Sequence, residues 1–408
     1  MLTLAIAHLS WAASGGHELA LGRWIESEGG FLGDVKVASR GGRRGLFVTK
    51  DVNAGTELVR VPKSCLISAE EYDLQPAWGL SLGEFLTANL AGTQSRGEKM
   101  PYTEALPAAE ALLADWTPAE REMLQSPRLE QEACLQHEHR QEMVSRIKPL
   151  VATANTSTLG WAETMVRSRA LTFESGWMGS TMMCMVPFID LANHQVPLPE
   201  EVPCFPVDLV RTFGEECVVL RAPRDLQQHD EVLITYADDG NDHLLLDYGF
   251  AEEARTGQLG SETVWLDDDL ALELVHAVPD DLGLDLTLEK LVRRARIRSG
   301  GSADADDRQL ELEVRAALVE RCEAALERMP TTLEADREAI SEAVGGGDAD
   351  ASGRLAAALT YRVVKKALLL KSVEVLRRGL DEHDELTTPS NRVTAILNEL
   401  RSSTGPIA

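Results

Sequence analysis

The chain has 408 residues, of which 44% are hydrophobic and 26% are charged, a composition typical of a soluble globular protein with room for two domains. Its formal net charge of -26 argues against a general nucleic-acid binder, because phosphate binding requires clustered cations. The same charge would attract a Lys/Arg-rich protein segment, or it serves only to keep the protein soluble.

Two simple patterns concern metals and membranes. The six cysteines are scattered, and no two have the C-x-x-C spacing, so we expect no metal site and reduced thiols in an intracellular protein. No apolar run approaches the roughly eighteen residues that a membrane span needs. Residues 1–16 lack the basic region of a secretory signal, and we interpret them as the lead-in to the first helix. We expect a cytoplasmic monomer, with a plastid or nuclear location as alternatives.

A short helix and a group of small strands are predicted first. The segment HELALGRWIESEGG (residues 17–30) has helical apolar spacing and stops at a glycine pair. Four β-like runs follow, separated by turn signals. They are DVKVAS (34–39), GLFVT (45–49), ELVRVP (57–62) and CLIS (65–68). These runs predict a compact unit of small strands, unlike the long βα repeats of a nucleotide-binding sheet.

A helical block interrupts this β unit between about residues 69 and 160. Four segments with helical spacing are predicted around it. They are SLGEFLTANLAGT (81–93), TPAEREMLQS (117–126), RLEQEACLQHEHRQEMVSRIKPLVATA (128–154) and WAETMVRSRALTF (161–173). β character then returns in MCMVPFIDLANH (183–194), CVVLRAP (217–223) and DEVLITYA (230–237). The order β–helical–β indicates an insertion.

Helical patterns dominate from about residue 264 to the end. The clearest are TLEKLVRRARIRS (287–299), RQLELEVRAALVERCEAALERM (308–329) and GRLAAALTYRVVKKALLLKSVEVLRRGL (353–380). Polar Gly/Asp loops separate them. The pattern predicts a separate helical domain whose apolar stripes form its core.

Three stretches contain residues suited to chemistry, and each also has a plain structural interpretation. Around Gly42, Arg43 and Arg44, glycines allow close backbone approach and the cations could meet a carboxylate, although a tight turn with solvated arginines fits as well. In IDLANH (189–194), an Asn-His pair can hydrogen-bond a ligand or form an Asx turn.

The third stretch, ITYADDGNDHLLLDYGF (234–250), holds two of the five tyrosines. Tyr236 closes a strand-like run and Tyr248 ends a short helix-like one. Both phenols could face one reaction site, although buried tyrosines are often part of the core.

Together, GRRGLFVTKDVNAGTELVRVPKS, IDLANH and NDHLLLDYGF resemble the SET-domain protein methyltransferases, and most closely the RuBisCO large-subunit lysine methyltransferase subclass. Later, RMPTTLEADREAI and AALTYRVVKKALLL are similar to the helical substrate-binding domain of that subclass. The resemblance implies an α+β fold. A SET domain of small β-sheets would span residues 18–255, with a helical insertion at about 69–160, and an all-α substrate-binding domain would span 264–408.

The resemblance also implies an S-adenosylmethionine-dependent protein-lysine N-methyltransferase, acting on a protein with an exposed lysine. The implied donor site comprises Gly42, Arg43, Arg44, Asn193 and His194. Tyr236 matches the catalytic tyrosine, Tyr248 lines the site beside it, and Arg169 and Asp190 match positions near the substrate lysine. Phe173 stands where a family member has a second arginine, a difference that concerns substrate choice.

Two alternatives remain at this point. The first is a protein-histidine N-methyltransferase of the related branch, in which the tyrosine of DYGF is replaced; Tyr248 favours lysine. The second is a SET-type binding module without catalysis, against which the retained Tyr236, Asn193 and His194 argue.

Overall fold

The computed structural model describes most of the chain. The described residues are 12–13, 16–40, 43–70, 79–108, 112–175, 180–195, 207–212, 215–236, 240–252, 261–266, 271–275, 308–343 and 349–381. They divide into two compact units. One takes its residues from 1–110, 136–195 and 201–236, and the other from 111–135, 196–200 and 237–408.

Short strands build most of the first unit. In chain order the described strands are β1 (Ala12–Ala13), β2 (Phe31–Leu32), β3 (Val35–Arg40), β4 (Arg43–Val48), β5 (Glu57–Pro62), β6 (Ile67–Glu70), β7 (Leu171–Ser175), β8 (Ser180–Met185), β9 (Asn193–His194), β10 (Val207–Thr212), β11 (Glu215–Arg221) and β12 (Glu231–Ile234), with β13 (Ser261–Trp265) and β14 (Ala271–Val275) in the second unit. They confirm the prediction of an α+β fold with small sheets.

Among the described residues, a five-stranded sheet has the order β1-β3-β4-β12-β9. Its β3–β4 and β4–β12 pairs are antiparallel, and its β12–β9 pair is parallel. Leu46, Phe47 and Val48 are fully buried, so β4 is covered on both faces. Since successive side chains of a strand point to opposite faces, this burial fixes the register of β4 and of its neighbours.

Two further sheets complete the described β structure of the first unit. One has the order β10-β11-β5-β2 and the other β6-β8-β7. The central pair of the first, β11 and β5, contributes buried valines to the core at Val59, Val61, Val218 and Val219. β-Branched residues suit a pleated, buried surface, and they explain why these short runs form strands.

Helices accompany the sheets in the first unit and form most of the described part of the second unit. The described α-helices are α1 (Gly16–Ser27), α2 (Leu82–Ser95), α3 (Met100–Thr103), α4 (Pro118–Glu122), α5 (Pro127–Ile147), α6 (Thr156–Arg169), α7 (Asn241–His243), α8 (Arg308–Glu327), α9 (Leu333–Ala343) and α10 (Ala349–Asp381). Local signals set several starts: α2 has a capping box between Ser81 and Glu84, and α4 has one between Thr117 and Glu120.

Several boundaries differ from the sequence prediction, and two of them have an evident physical cause. The helix predicted over residues 161–173 ends at Arg169, and Leu171–Ser175 is a strand paired with β8, because pairing across a sheet overrides a local helical pattern. The helix predicted over residues 128–154 ends at Ile147. Pro149 lies in the 3₁₀ turn that follows, and a proline cannot continue the α-helical hydrogen bonds.

The second unit has one feature that the sequence did not predict. Strands β13 and β14 pair in antiparallel fashion, with Ser261 opposite Val275. Strand β14 lies inside residues 264–408, the region predicted to be helical. Helices α8 and α10 pack on Val264 and Leu266 to form an apolar cluster. The predicted helix at residues 287–299 lies outside the described residues. In the part of the chain that the structure describes, no helix has the length and hydropathy that a membrane crossing needs.

Candidate active site

The five-stranded sheet brings three distant stretches of sequence together. β12 lies between β4 and β9, so the strand that starts at Arg43 is one strand away from the Asn-His pair. Leu233 pairs with Asn193, Ile234 pairs with His194, and Val232 pairs with Leu46. The chain leaves the sheet directly after Ile234, and Tyr236 follows.

The side-chain amide of Asn193 joins two of these strands. Its Nδ2 donates to the carbonyl oxygen of Arg44 at 2.8 Å and to Glu231 Oε1 at 2.7 Å. Gly45 makes this approach possible, since a Cβ there would lie 2.4 Å from Glu231 Oε1 and 2.7 Å from Asn193 Nδ2. Because both hydrogen bonds use Nδ2, the amide is held in one orientation.

His194 is a buried, neutral hydrogen-bond acceptor. It is 5% exposed, and its Nδ1 accepts a hydrogen bond from the backbone N–H of Tyr236 at 3.0 Å. Burial, together with the nearby positive charge of Arg43, lowers the pKa of His194 to about 4. An Nδ1 that accepts must be unprotonated, so the ring proton lies on Nε2. His194 therefore fixes the backbone where Tyr236 leaves the sheet.

Tyr236 is held by its hydroxyl as well as by its backbone. Its Oη donates to the carbonyl oxygen of Ala192 at 2.7 Å. Its ring lies 5.2 Å from that of His194, tilted by 38°. The side chain is half-buried. A phenol with a fixed hydroxyl oxygen and one accessible side can present that oxygen to a ligand without reorganising.

Asp190 contacts two other residues, Arg169 through its backbone carbonyl and Tyr102 through its carboxylate. Arg169 Nη1 donates to the carbonyl oxygen of Asp190 at 3.0 Å, and Tyr102 Oη donates to Asp190 Oδ2 at 2.8 Å. Burial, and then the charge of Asp190, raises the pKa of Tyr102 well above its ordinary value. Tyr102 therefore stays protonated and ties the helical insertion to the IDLANH segment.

Tyr248 belongs to the second unit. It ends a single π-helical turn, Leu244–Tyr248, which stops at Gly249 with φ of 77°, a left-handed conformation that favours glycine. Its ring lies 6.0 Å from His243 and 6.2 Å from Phe250. His243 Nδ1 lies 3.2 Å from Asp247 Oδ2. Tyr248 is half-buried in this small polar and aromatic group.

The structure thus brings several of the residues singled out from the sequence near one another. One hydrogen bond joins Asn193 to Arg44 and another joins Tyr236 to His194, and Asn193 and His194 are adjacent in strand β9. Arg43 lies near enough to influence His194. Gly42 lies outside the described residues.

Sequence reasoning missed two residues at this site, Glu231 and Tyr102. Glu231 lies at the start of the strand-like run DEVLITYA and is the first residue of β12. Tyr102 lies 88 residues from its partner Asp190, and no local pattern links them.

Comparison with protein families gives two matches along the chain. The model described as SET domain matches residues 43–237. The model described as Rubisco LSMT substrate-binding matches residues 287–369. Residues 43–237 of the chain therefore match the SET domain. Arg43, Arg44, Asn193, His194 and Tyr236 all lie inside this match, and Tyr248 lies after it.

Solved structures with a similar fold come from LSMT. The SET domain of LSMT bound to methyllysine and AdoHcy has a TM-score of 0.66 and 21% identity, covering 92% of this chain and 95% of that one. Rubisco LSMT bound to sinefungin and monomethyllysine has a TM-score of 0.65, 21% identity and the same coverage. Rubisco LSMT bound to AdoMet has a TM-score of 0.64, 20% identity and the same coverage. No curated protein matches this chain in sequence.

Proposed function

We propose that this protein is an S-adenosylmethionine-dependent protein-lysine N-methyltransferase. The observation that carries the proposal is the convergence of two hydrogen-bonded pairs, Asn193 with Arg44 and Tyr236 with His194, on the consecutive strands β4, β12 and β9 of one sheet. The SET-domain match, and the LSMT structures bound to AdoMet and to methyllysine with AdoHcy, support the same function. We further propose a SET domain over residues 18–255 and a substrate-binding domain over residues 264–408.

The residues present fit a donor that carries a carboxylate, an ammonium and a sulfonium. Arg43 is exposed at the start of β4 and can pair with the carboxylate. The amide of Asn193 is fixed through Nδ2, and its Oδ1 is the proposed acceptor for the ammonium. Gly42, Arg44 and His194 complete the proposed donor site. S-adenosylmethionine, when bound, supplies a methyl group already activated by the positive sulfur.

The protein's own task is mainly positioning. Tyr236 has its hydroxyl fixed on Ala192, and that oxygen is proposed to accept a hydrogen bond from the substrate amine and orient its lone pair. Tyr248 is proposed to line the lysine site beside it, and Arg169 and Asp190 to form part of its wall. A free lysine has a pKa of about 10.4, so the amine must enter surroundings that disfavour its charge.

The substrate proposed is a protein segment with an exposed lysine. The net charge of -26 attracts basic segments by long-range electrostatics. The region matched to Rubisco LSMT substrate-binding, residues 287–369, is the proposed docking region for the rest of that protein.

The direct test measures transfer of labelled methyl from S-adenosylmethionine to lysate proteins, with donor affinity measured by calorimetry. We expect wild-type protein to label at least one protein. Tyr236→Phe is expected to bind the donor with similar affinity and to transfer about 100-fold more slowly, because it loses the hydroxyl that aligns the amine. A protein that binds no donor and labels nothing would instead be an inactive binding module.

A further inference from the structure

One buried side chain closes the segment that carries Tyr248. Asn241 is 4% exposed. Its Oδ1 accepts from the backbone N–H of Glu252 at 2.7 Å, and its Nδ2 donates to the carbonyl oxygen of Glu252 at 3.1 Å. Both ends of residues 241–252 are therefore joined through a single amide, and Tyr248 lies inside the closed loop.

This clamp is itself held by hairpin residue Glu262. Glu262 Oε2 accepts from both the backbone N–H and the Nδ2 of Asn241, each at 3.1 Å. Glu262 is 6% exposed. A carboxylate buried to this extent needs a compensating charge, because an uncompensated buried charge is strongly destabilising.

Lys365 of α10 supplies that charge. Its Nζ contacts the carboxylates of Asp242 and Glu262 and donates to the carbonyl oxygen of Thr263 at 2.5 Å. Tyr361, one helical turn earlier, donates from its Oη to Asp242 Oδ1 at 3.1 Å. Burial would lower the pKa of Lys365, but the two carboxylates raise it above its ordinary value. Lys365 therefore stays charged. It neutralises Asp242, at the start of the clamped segment, and Glu262, which holds the clamp.

We propose that Lys365 is a positioning residue for Tyr248, acting through Asp242, Glu262 and the Asn241 clamp. The proposal rests on the function proposed above. Lys365 and Tyr361 both lie in the region matched to Rubisco LSMT substrate-binding. That region thus has a second task besides holding the substrate: its helix fixes the segment that presents Tyr248.

Lys366 provides a matched control. It is the next residue of the same helix and is equally buried, at 2% exposed. Its Nζ donates to Asp336 Oδ2 at 2.6 Å, to Thr331 Oγ1 at 2.7 Å and to Gln125 Oε1 at 3.1 Å. Replacing either lysine by methionine removes a buried charge of the same type, but only Lys365 contacts the clamp.

The first experiment measures amide hydrogen exchange in residues 241–252 of the full-length protein. Lys365→Met is expected to raise exchange there at least 10-fold, whereas Lys366→Met leaves it unchanged. Asp242→Asn is a milder variant that keeps Glu262 as a partner for Lys365, and it is expected to raise exchange in the same segment if Lys365→Met does not fold. Equal exchange in all these variants and the wild type would overturn the proposal.

The second experiment asks whether the effect passes through Tyr248. Methyl transfer is measured for Lys365→Met, Tyr248→Phe and the double variant, together with donor affinity. We expect Lys365→Met to lower kcat at least 10-fold without changing donor affinity, and to have little further effect once Tyr248 is Phe. Additive losses would show that Lys365 acts on stability alone. If the wild type transfers no methyl group, the proposed function fails, while hydrogen exchange still tests the clamp.

Discussion

At the scale of single residues, the protonation of His194 makes the free energy of unfolding depend on pH. Its pKa falls from 6.5 to about 4 in the folded protein, so between these values the unfolded chain binds more protons than the folded one. The stabilisation is complete above pH 6.5 and is lost as the pH falls towards 4. One pKa unit corresponds to about 1.4 kcal/mol, so about 3 to 4 kcal/mol of the free energy of unfolding is involved in total.

The pH prediction is tested by urea unfolding at pH 7 and pH 4.5. The comparison variant is His194→Asn, whose Oδ1 can accept from the backbone of Tyr236 but does not titrate. We expect the wild type to lose about 2 kcal/mol more than the variant between the two pH values. Equal losses would mean that His194 is not held neutral by its surroundings.

Glu231 is expected to raise the affinity for S-adenosylmethionine by holding Asn193, although Glu231 itself is not among the residues proposed to contact the donor. It accepts from Asn193 Nδ2 at 2.7 Å, and Glu231→Ala would leave the amide held only by the carbonyl oxygen of Arg44. We expect the calorimetric Kd for S-adenosylmethionine to rise about 10-fold, equivalent to roughly 1.4 kcal/mol. Glu215→Ala removes an exposed acid from β11 and serves as the charge control. An unchanged Kd in Glu231→Ala would remove Glu231 from the site.

At the scale of elements, the approach of β4 to Asn193 depends on Gly45. A Cβ at this position would lie under 3 Å from both Glu231 Oε1 and Asn193 Nδ2. Gly45→Ala is therefore expected to displace the Glu231 carboxylate, weaken donor binding about 10-fold and lower the free energy of unfolding by about 1 to 3 kcal/mol.

Gly160→Ala is the matched glycine control. A Cβ at Gly160, within α6, meets nothing within 4 Å, and alanine favours a helix by about 0.5 to 1 kcal/mol over glycine. We expect the free energy of unfolding, measured by chemical unfolding, to fall in Gly45→Ala and to rise in Gly160→Ala. Donor titration is expected to show a changed affinity in Gly45→Ala alone. Two variants of equal stability and affinity would refute the close-approach argument.

The elements also show what the sequence could predict. Residues 17–30, 45–49 and 57–62 carry local periodicity and turn signals, and their helix and strands are found near the predicted bounds. Leu171–Ser175 depends on pairing with β8, and the contact of Tyr102 with Asp190 spans 88 residues. Such long-range partners have no local signature, and for that reason the sequence singled out Asn193 and Asp190 but not Glu231 and Tyr102, which hold their side chains.

At the scale of the whole molecule, two kinds of charge have different tasks. The net charge of -26 acts at long range and favours a basic protein partner. The buried charges of Lys365, Lys366 and Asp336 are paired in place, so they contribute to the geometry of the second unit and not to the external field. The negative net charge is the reason for proposing a Lys/Arg-rich protein segment as the substrate.

The decisive experiment for the proposed function is tandem mass spectrometry of lysate proteins after incubation with the wild-type protein and isotopically labelled S-adenosylmethionine. We expect labelled methyl on the Nζ of lysine, and much less of it with Tyr236→Phe. Labelled methyl on a histidine ring nitrogen, or no labelled protein at all, would contradict it.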